Sequence, residues 1–252
     1  VVMGPVSKYN MTIAPPFFIC QVDLAGPFLC YSNHHKRTTV KVWMAVFCCS
    51  TTSTTSIKMM EDYSSSAFIQ AFIRLSCEVG YPKMLLPDEG SQLVKSCQSM
   101  QFDFKDIKNK LYKKAQVEFD VCPVGGHHMH GKVERKIQEI KKSVERTCHA
   151  ERLSILQWET VAAEIGNAIN DMPLALGDDR SDLESMDLIT PNRLRIGRNN
   201  ERSPDGIVTV TSDPNKFIKL NMKIFDSWFE NWLLCHLPKL MYQPKWFKNS
   251  HH

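Results

Sequence analysis

The stretch that most constrains this 252-residue chain is Phe17–Phe28, rich in β-branched and aromatic residues and carrying a single carboxylate, Asp23. A run of that composition forms a strand buried within a sheet. An unpaired carboxylate inside such a strand is costly, so the fold must bring something to Asp23 that compensates its charge.

The neighbouring segments supply the rest of a sheet. Thr38–Cys49 reads as a second strand, with the polar, turn-like Tyr31–Arg37 before it, and Ser56–Met60 reads as a third. Ser64-Ser65-Ser66 precedes Ala67–Val79, where Phe68, Ala71, Phe72 and Leu75 fall at helical spacing and Gly80 is a natural stop. Lys83–Leu86 is a short strand running into Pro87-Asp88-Glu89-Gly90. The second half turns helical. Asp103–Gln116 reads as a basic amphipathic helix and Val117–Cys122 as a strand. The Gly/His loop Pro123–Gly131 then leads into a helix from Lys132 to about Ala150. Ser154 and Gln157 form a capping-box pattern ahead of a helix reaching about Asp171. Strands, a helix, a strand, helices and a final strand predict an α/β protein with a mixed sheet flanked by helices.

Composition removes several alternatives. No apolar run approaches the ~18 residues of a membrane span. Nine cysteines, an odd number without a C-x-x-C pair, fit reduced intracellular thiols better than a disulfide framework or a zinc finger. His127, His128 and His130 lie near Cys122, but no second ligand pair stands at structural-zinc spacing, and a glycine-rich loop is the simpler reading.

Two further carboxylates stand beside Asp23 in importance. Asp88 follows a strand end and enters a Gly turn, and Glu134 opens the long helix. Taken singly, Asp88 reads as a turn residue and Glu134 as an acid complementing the helix dipole. Strand middle, strand end and helix start can nevertheless converge at one sheet edge. Clustered carboxylates stay ionised only with compensating cations, and two hard divalent ions ~3.5–4 Å apart would supply them for phosphodiester chemistry.

The chain resembles the integrase catalytic core of long-terminal-repeat retroelements, a D…D…E group with an RNase H-like fold. The matching segments are Gln21-Val-Asp23-Leu-Ala-Gly-Pro-Phe28, Leu86-Pro-Asp88-Glu-Gly-Ser-Gln-Leu-Val94 and Gly131-Lys-Val-Glu134-Arg. Within that group it is most similar to Pao/BEL retrotransposons, through Pro15-Pro16-Phe17, Leu188-Ile-Thr-Pro-Asn-Arg-Leu-Arg-Ile-Gly197 and the Trp-rich tail Trp228–Trp246. Glu89 departs from the Asn usual after the second Asp of the group.

The resemblance implies an RNase H-like, mixed five-stranded sheet over 8–200, with a mostly helical extension, 201–252, as the start of a truncated C-terminal domain. It implies that Asp23, Asp88 and Glu134 hold two Mg²⁺ or Mn²⁺ ions. The implied activity is metal-dependent 3′-end processing and strand transfer of element DNA, without a covalent protein intermediate. Double-stranded DNA, from element ends and target, is the implied partner, with a homo-oligomer and no membrane. The implied location is the nucleus or a cytoplasmic virus-like particle. Two readings compete: a catalytically silent DNA-binding or interaction module derived from an integrase, motivated by Glu89, and a nuclease of the RNase H type.

The net charge of +4 hides an uneven distribution. Lys132–Arg152 and Asp103–Gln116 each carry +3, and 177–187 carries −4. Glu134, Gln138 and Lys141 fall at i, i+4 and i+7 and share a helix face. By the resemblance, Gln138 and Lys141 match positions that touch the DNA end, and Lys132, Arg135 and Lys142 extend the basic face. A solvated helix laced with i,i+4 pairs is the bland alternative.

Overall fold

The structure, a computed structural model, describes residues 8–31, 38–87, 109–110, 117–120, 131–148, 153–176 and 188–200, with single residues or pairs between 218 and 234. A short helix α1 (Lys8–Met11) precedes strands β1 (Ile19–Tyr31), β2 (Thr39–Cys49) and β3 (Thr55–Met60), then helix α2 (Ser65–Val79). Strands β4 (Met84–Pro87) and β5 (Glu118–Phe119) follow, then helices α3 (Gly131–Cys148) and α4 (Ile155–Asn170). The short strands β6 (Ala175–Leu176) and β7 (Leu188–Ile189) and helix α5 (Pro191–Ile196) end the described core. The predicted helix Asp103–Gln116 lies outside the described residues except for Asn109 and Lys110, which are helical.

One sheet of five strands has the order β3-β2-β1-β4-β5. β1–β2 and β2–β3 are antiparallel, whereas β1–β4 and β4–β5 are parallel. This is the mixed, helix-flanked sheet of an RNase H-like fold, with β1 at its centre.

Side chains alternate across β1 with period two, and each face meets a different helix layer. Cys20 and Val22 join Ala45, Phe47 and Cys49 of β2 against Phe68, Phe72 and Leu75 of α2. Ala25 joins Met44 and Val46 against Val133, Ile137 and Ile140 of α3 and Val161, Ile165 and Ile169 of α4. Complete burial of each such Phe or Ile is worth about 1.5–3 kcal/mol, so the two cores together hold the sheet between its helices. β1 would lose this pattern halfway along were it not for an irregularity between Ala25 and Phe28. The extra residue there keeps Phe28 and Cys30 on the face of Ala25. Gly26 makes it possible: its φ is +139°, and a Cβ would sit 2.8 Å from Trp43 Cδ1.

The strand bounds move for physical reasons. β1 begins at Ile19 rather than Phe17 because Phe17 occupies a left-handed turn, φ 62°, with its N–H donating to Cys49 Sγ at 3.2 Å. β1 continues to Tyr31 rather than ending at Phe28, because Phe28–Tyr31 stay paired with Thr39–Val42 of β2, and the Tyr31 N–H donates to Leu153 O at 2.9 Å. Helix signals hold closely. Ser64 Oγ accepts the Ala67 N–H, and Gly80 closes α2 at φ 87°. Ser154 and Gln157 make the reciprocal capping box of α4, at 3.3 and 2.9 Å. Cys20, Cys30, Cys48 and Cys49 are buried free thiols and Cys77 an exposed one; burial, with Cys48 and Cys49 adjacent, pushes the Cys20 thiol up.

The outer edge of β3 is sealed by a side chain. Asn170 Oδ1 accepts the Thr55 N–H at 2.7 Å, and Asn170 Nδ2 donates to Thr55 O at 2.8 Å, both within the buried core. The amide thus replaces a neighbouring strand at that residue. Asn170→Ala leaves two buried backbone groups without partners at about 1–3 kcal/mol each. The expected outcome is a loss of roughly 2–4 kcal/mol in urea unfolding, with the midpoint lowered and the denaturant slope unchanged.

Candidate active site

Asp23 lies on the central strand, two residues after Gln21 and two before Ala25, and therefore on the sheet face covered by α3 and α4. Its cross-strand partner is Val46, a member of the same buried cluster. The side chain is half-buried, and its Oδ1 accepts the Leu24 N–H at 2.7 Å.

Glu134 sits in the first turn of α3, one residue after Val133, which is fully buried in the cluster containing Ala25 and Val46. Glu134 is itself half-buried. Two of the three predicted carboxylates thus belong to one sheet face, one on the strand and one on the helix laid across it. The third, Asp88, lies outside the described residues, as does Glu89. The last described residue of β4 is Pro87, and it pairs with Val22, the residue before Asp23.

The donor set is chemically suited to a hard divalent cation. Asp23 and Glu134 offer carboxylate oxygens, and neither is fully sequestered from water, which Mg²⁺ keeps in its coordination shell. Among the described residues no group of three His, Cys, Asp or Glu side chains stands close enough to hold a metal. His127, His128 and His130 lie outside the described residues.

The residues of α3 divide into a buried stripe and an exposed polar side. Val133, Ile137, Ile140 and Val144 form the buried stripe of α3. Arg135, Gln138, Lys141 and Lys142 are exposed, and Lys132 lies in the first turn. Lys136, in contrast, is mostly buried: its Nζ stands 3.7 Å from Glu139 Oε2 and 3.8 Å from Met172 Sδ. The helix therefore keeps four polar groups for a partner and turns a fifth toward the end of α4.

Two features near this region escape sequence reasoning. Asp120, just past β5, places a further carboxylate at the carboxyl edge of the sheet, where it takes the Tyr9 hydroxyl proton in a hydrogen bond that ties α1 to the edge. Asp171 ends α4 and receives Asn192 Nδ2 at 2.6 Å. Burial pushes the Asp171 carboxyl above its usual range, partly offset by the hydrogen bonds from Asn192 and the Asn200 backbone. The only sequence signal for the pair was an Asn and an Asp in turn-like contexts.

The Asp171 shift fixes the sign of a pH effect. A carboxyl whose folded pKa is raised binds a proton in the native state at pH values where the unfolded chain has released it. Stability from this group therefore rises as pH falls through the window just above the ordinary aspartate value of about 3.9. Asp171→Asn should flatten that part of the pH–stability profile, read by thermal melts of both proteins across the acidic range.

No family model and no curated protein matches this chain. Among solved structures, it is similar to a chain of the simian T-cell lymphotropic virus intasome in complex with PP2A regulatory subunit B56 gamma. The two are 16% identical with a TM-score of 0.43, over 79% of this chain and 61% of that one. It is also similar to the HTLV-2 integrase catalytic core domain in complex with magnesium. For the trimeric form the identity is 16% and the TM-score 0.43, over 72% of this chain and 97% of that one. For the dimeric form they are 17% and 0.41, over 66% and 93%. Strand order and register, not these superpositions, carry the fold assignment.

Proposed function

We propose that the chain is an integrase-type polynucleotidyl transferase of a Pao/BEL-like retroelement, with 8–200 as its catalytic core and Asp23, Asp88 and Glu134 as its metal-binding carboxylates. The observation that carries the reading is the shared sheet face of Asp23 and Glu134, combined with the register of β4, whose last residue before Asp88 pairs with the residue before Asp23. Asp88 follows Pro87 directly in the chain. The segments around all three carboxylates also resemble the integrase group in their order along the chain.

In this reading Asp23 and Glu134 would hold the cations, the first carried by the central strand and the second by a helix start packed onto the sheet. Two bound Mg²⁺ or Mn²⁺ ions would supply an activated water and stabilise the leaving oxygen of a phosphodiester. The exposed Arg135, Gln138, Lys141 and Lys142, with Lys132, hold phosphates of double-stranded DNA and set its register, without reading sequence. A homo-oligomer acting within the cell, on element and target DNA, belongs to the same proposal.

The test is divalent-dependent nicking of duplex DNA bearing the element's own ends. Asp23→Asn and Glu134→Gln should each lower nicking by at least about 100-fold, since even outer-shell changes at metal sites cost up to about that much. Both variants should still bind DNA. Undiminished nicking in either variant contradicts the assignment. Salt-sensitive DNA binding by the native chain with no metal-dependent nicking would instead favour the silent DNA-binding module.

A further inference from the structure

Helix α5 is short, yet it is tied to the core at several points. Thr190 Oγ1 caps it by accepting the Arg193 N–H at 3.1 Å, and Gly197, at φ 79°, closes it. Thr54 Oγ1 donates to Pro191 O at 3.3 Å. The buried Asn192 donates through Nδ2 to Asn167 Oδ1 at 3.1 Å and to Asp171 Oδ1 at 2.6 Å. Asn200 Nδ2 donates to Asn167 Oδ1 at 2.6 Å, beyond the helix. These bonds hold 190–200 against the end of α4 and the start of β3, a fixed platform rather than a solvated turn.

What the platform presents is positive. Arg193, Arg195 and Arg198 fall within six residues, Arg198 is exposed and the other two are half-exposed, and 188–200 contains no acid. Among the described residues, Arg195 and Arg198 stand in no ion pair. The platform also adjoins the basic helix: Asp171, which Asn192 grips, is followed by Met172, whose Sδ lies 3.8 Å from Lys136 Nζ, two residues beyond Glu134. The first turns of α3 and the arginines of α5 thus flank one end of α4.

We infer that Arg195 and Arg198, with Arg193 beside them, form a second phosphate-contact surface, apart from the exposed face of α3, that binds the backbone of double-stranded DNA. The partner follows from charge and chemistry. Guanidinium forks match phosphate oxygens, and 188–200 brings three arginines and no acid to the platform. A helix anchored to the core through its own side chains gives up little entropy on meeting a ligand, which suits arginines that position a duplex rather than read it. This surface rests on the DNA-binding reading above but not on the metal chemistry.

The experiment measures binding of a labelled duplex by fluorescence anisotropy over a range of salt, in EDTA so that no cleavage intervenes. Three variants accompany the native chain: Arg195→Ala with Arg198→Ala, Arg195→Lys with Arg198→Lys, and Lys141→Ala with Lys142→Ala. Removing one neutralised phosphate lowers the slope of log affinity against log salt by about 0.9. The double alanine variant at 195 and 198 should lower the slope by roughly 1–2 and bind several-fold more weakly, and the lysine pair should restore the slope. An unchanged slope with the α5 alanines, when the α3 alanines do lower it, overturns this inference alone. No effect from either alanine pair overturns the DNA face of α3 together with it. A chain that binds with the expected slopes but does not nick DNA removes the metal chemistry and leaves this surface standing.

Discussion

The carboxylate at the middle of β1 is the constraint around which the fold is organised. β1 is hydrogen-bonded on both edges, to β2 and β4, and covered on both faces, by α2 on one side and by α3 and α4 on the other. A charge in such a place would be expelled or neutralised unless the surroundings compensate it. Asp23 stays half-exposed and accepts the Leu24 N–H, while the helix crossing its face begins with a second carboxylate. In the proposed function a divalent cation would be held by these two acids. The proposed chemistry is the simplest account of why a sequence keeps both there.

The polar contacts at the end of α4 determine how the second layer is held. Asn170 completes the edge of β3, and Asn167 and Asp171 receive the amides of Asn192 and Asn200. Lys136 reaches the same end of the helix from α3. α4 thus joins the sheet edge, the helix that carries Glu134 and the arginine-bearing α5.

Much of this was legible in the sequence because the relevant signals are local. The β-branched and aromatic strands, the Ser154–Gln157 capping box, the Gly80 stop and the buried stripe Val133, Ile137, Ile140 and Val144 each depend on residues within a few positions of one another. The missed features depend on distant partners. Asn170 meets Thr55 across 115 residues, and Asn192 meets Asn167 across 25, so neither partner can be found from the neighbouring sequence. The Tyr31 N–H at the end of β1 meets Leu153 O. The site divides the same way. Asp23 stood out because a charge in an apolar strand breaks the local pattern, whereas Asp88 and Glu134 conform to local rules and gained weight only from their order and from the resemblance.

The most direct measurement of the central claim is to replace the divalent ion with Fe²⁺ and, with ascorbate and peroxide, map where hydroxyl radicals cut the backbone. A shared site of Asp23, Asp88 and Glu134 gives cuts clustered near residue 23, just beyond Pro87 and around residue 134, all lost in Asp23→Asn. Cuts confined to the histidines at 127, 128 and 130, or a pattern that Asp23→Asn leaves unchanged, would contradict it.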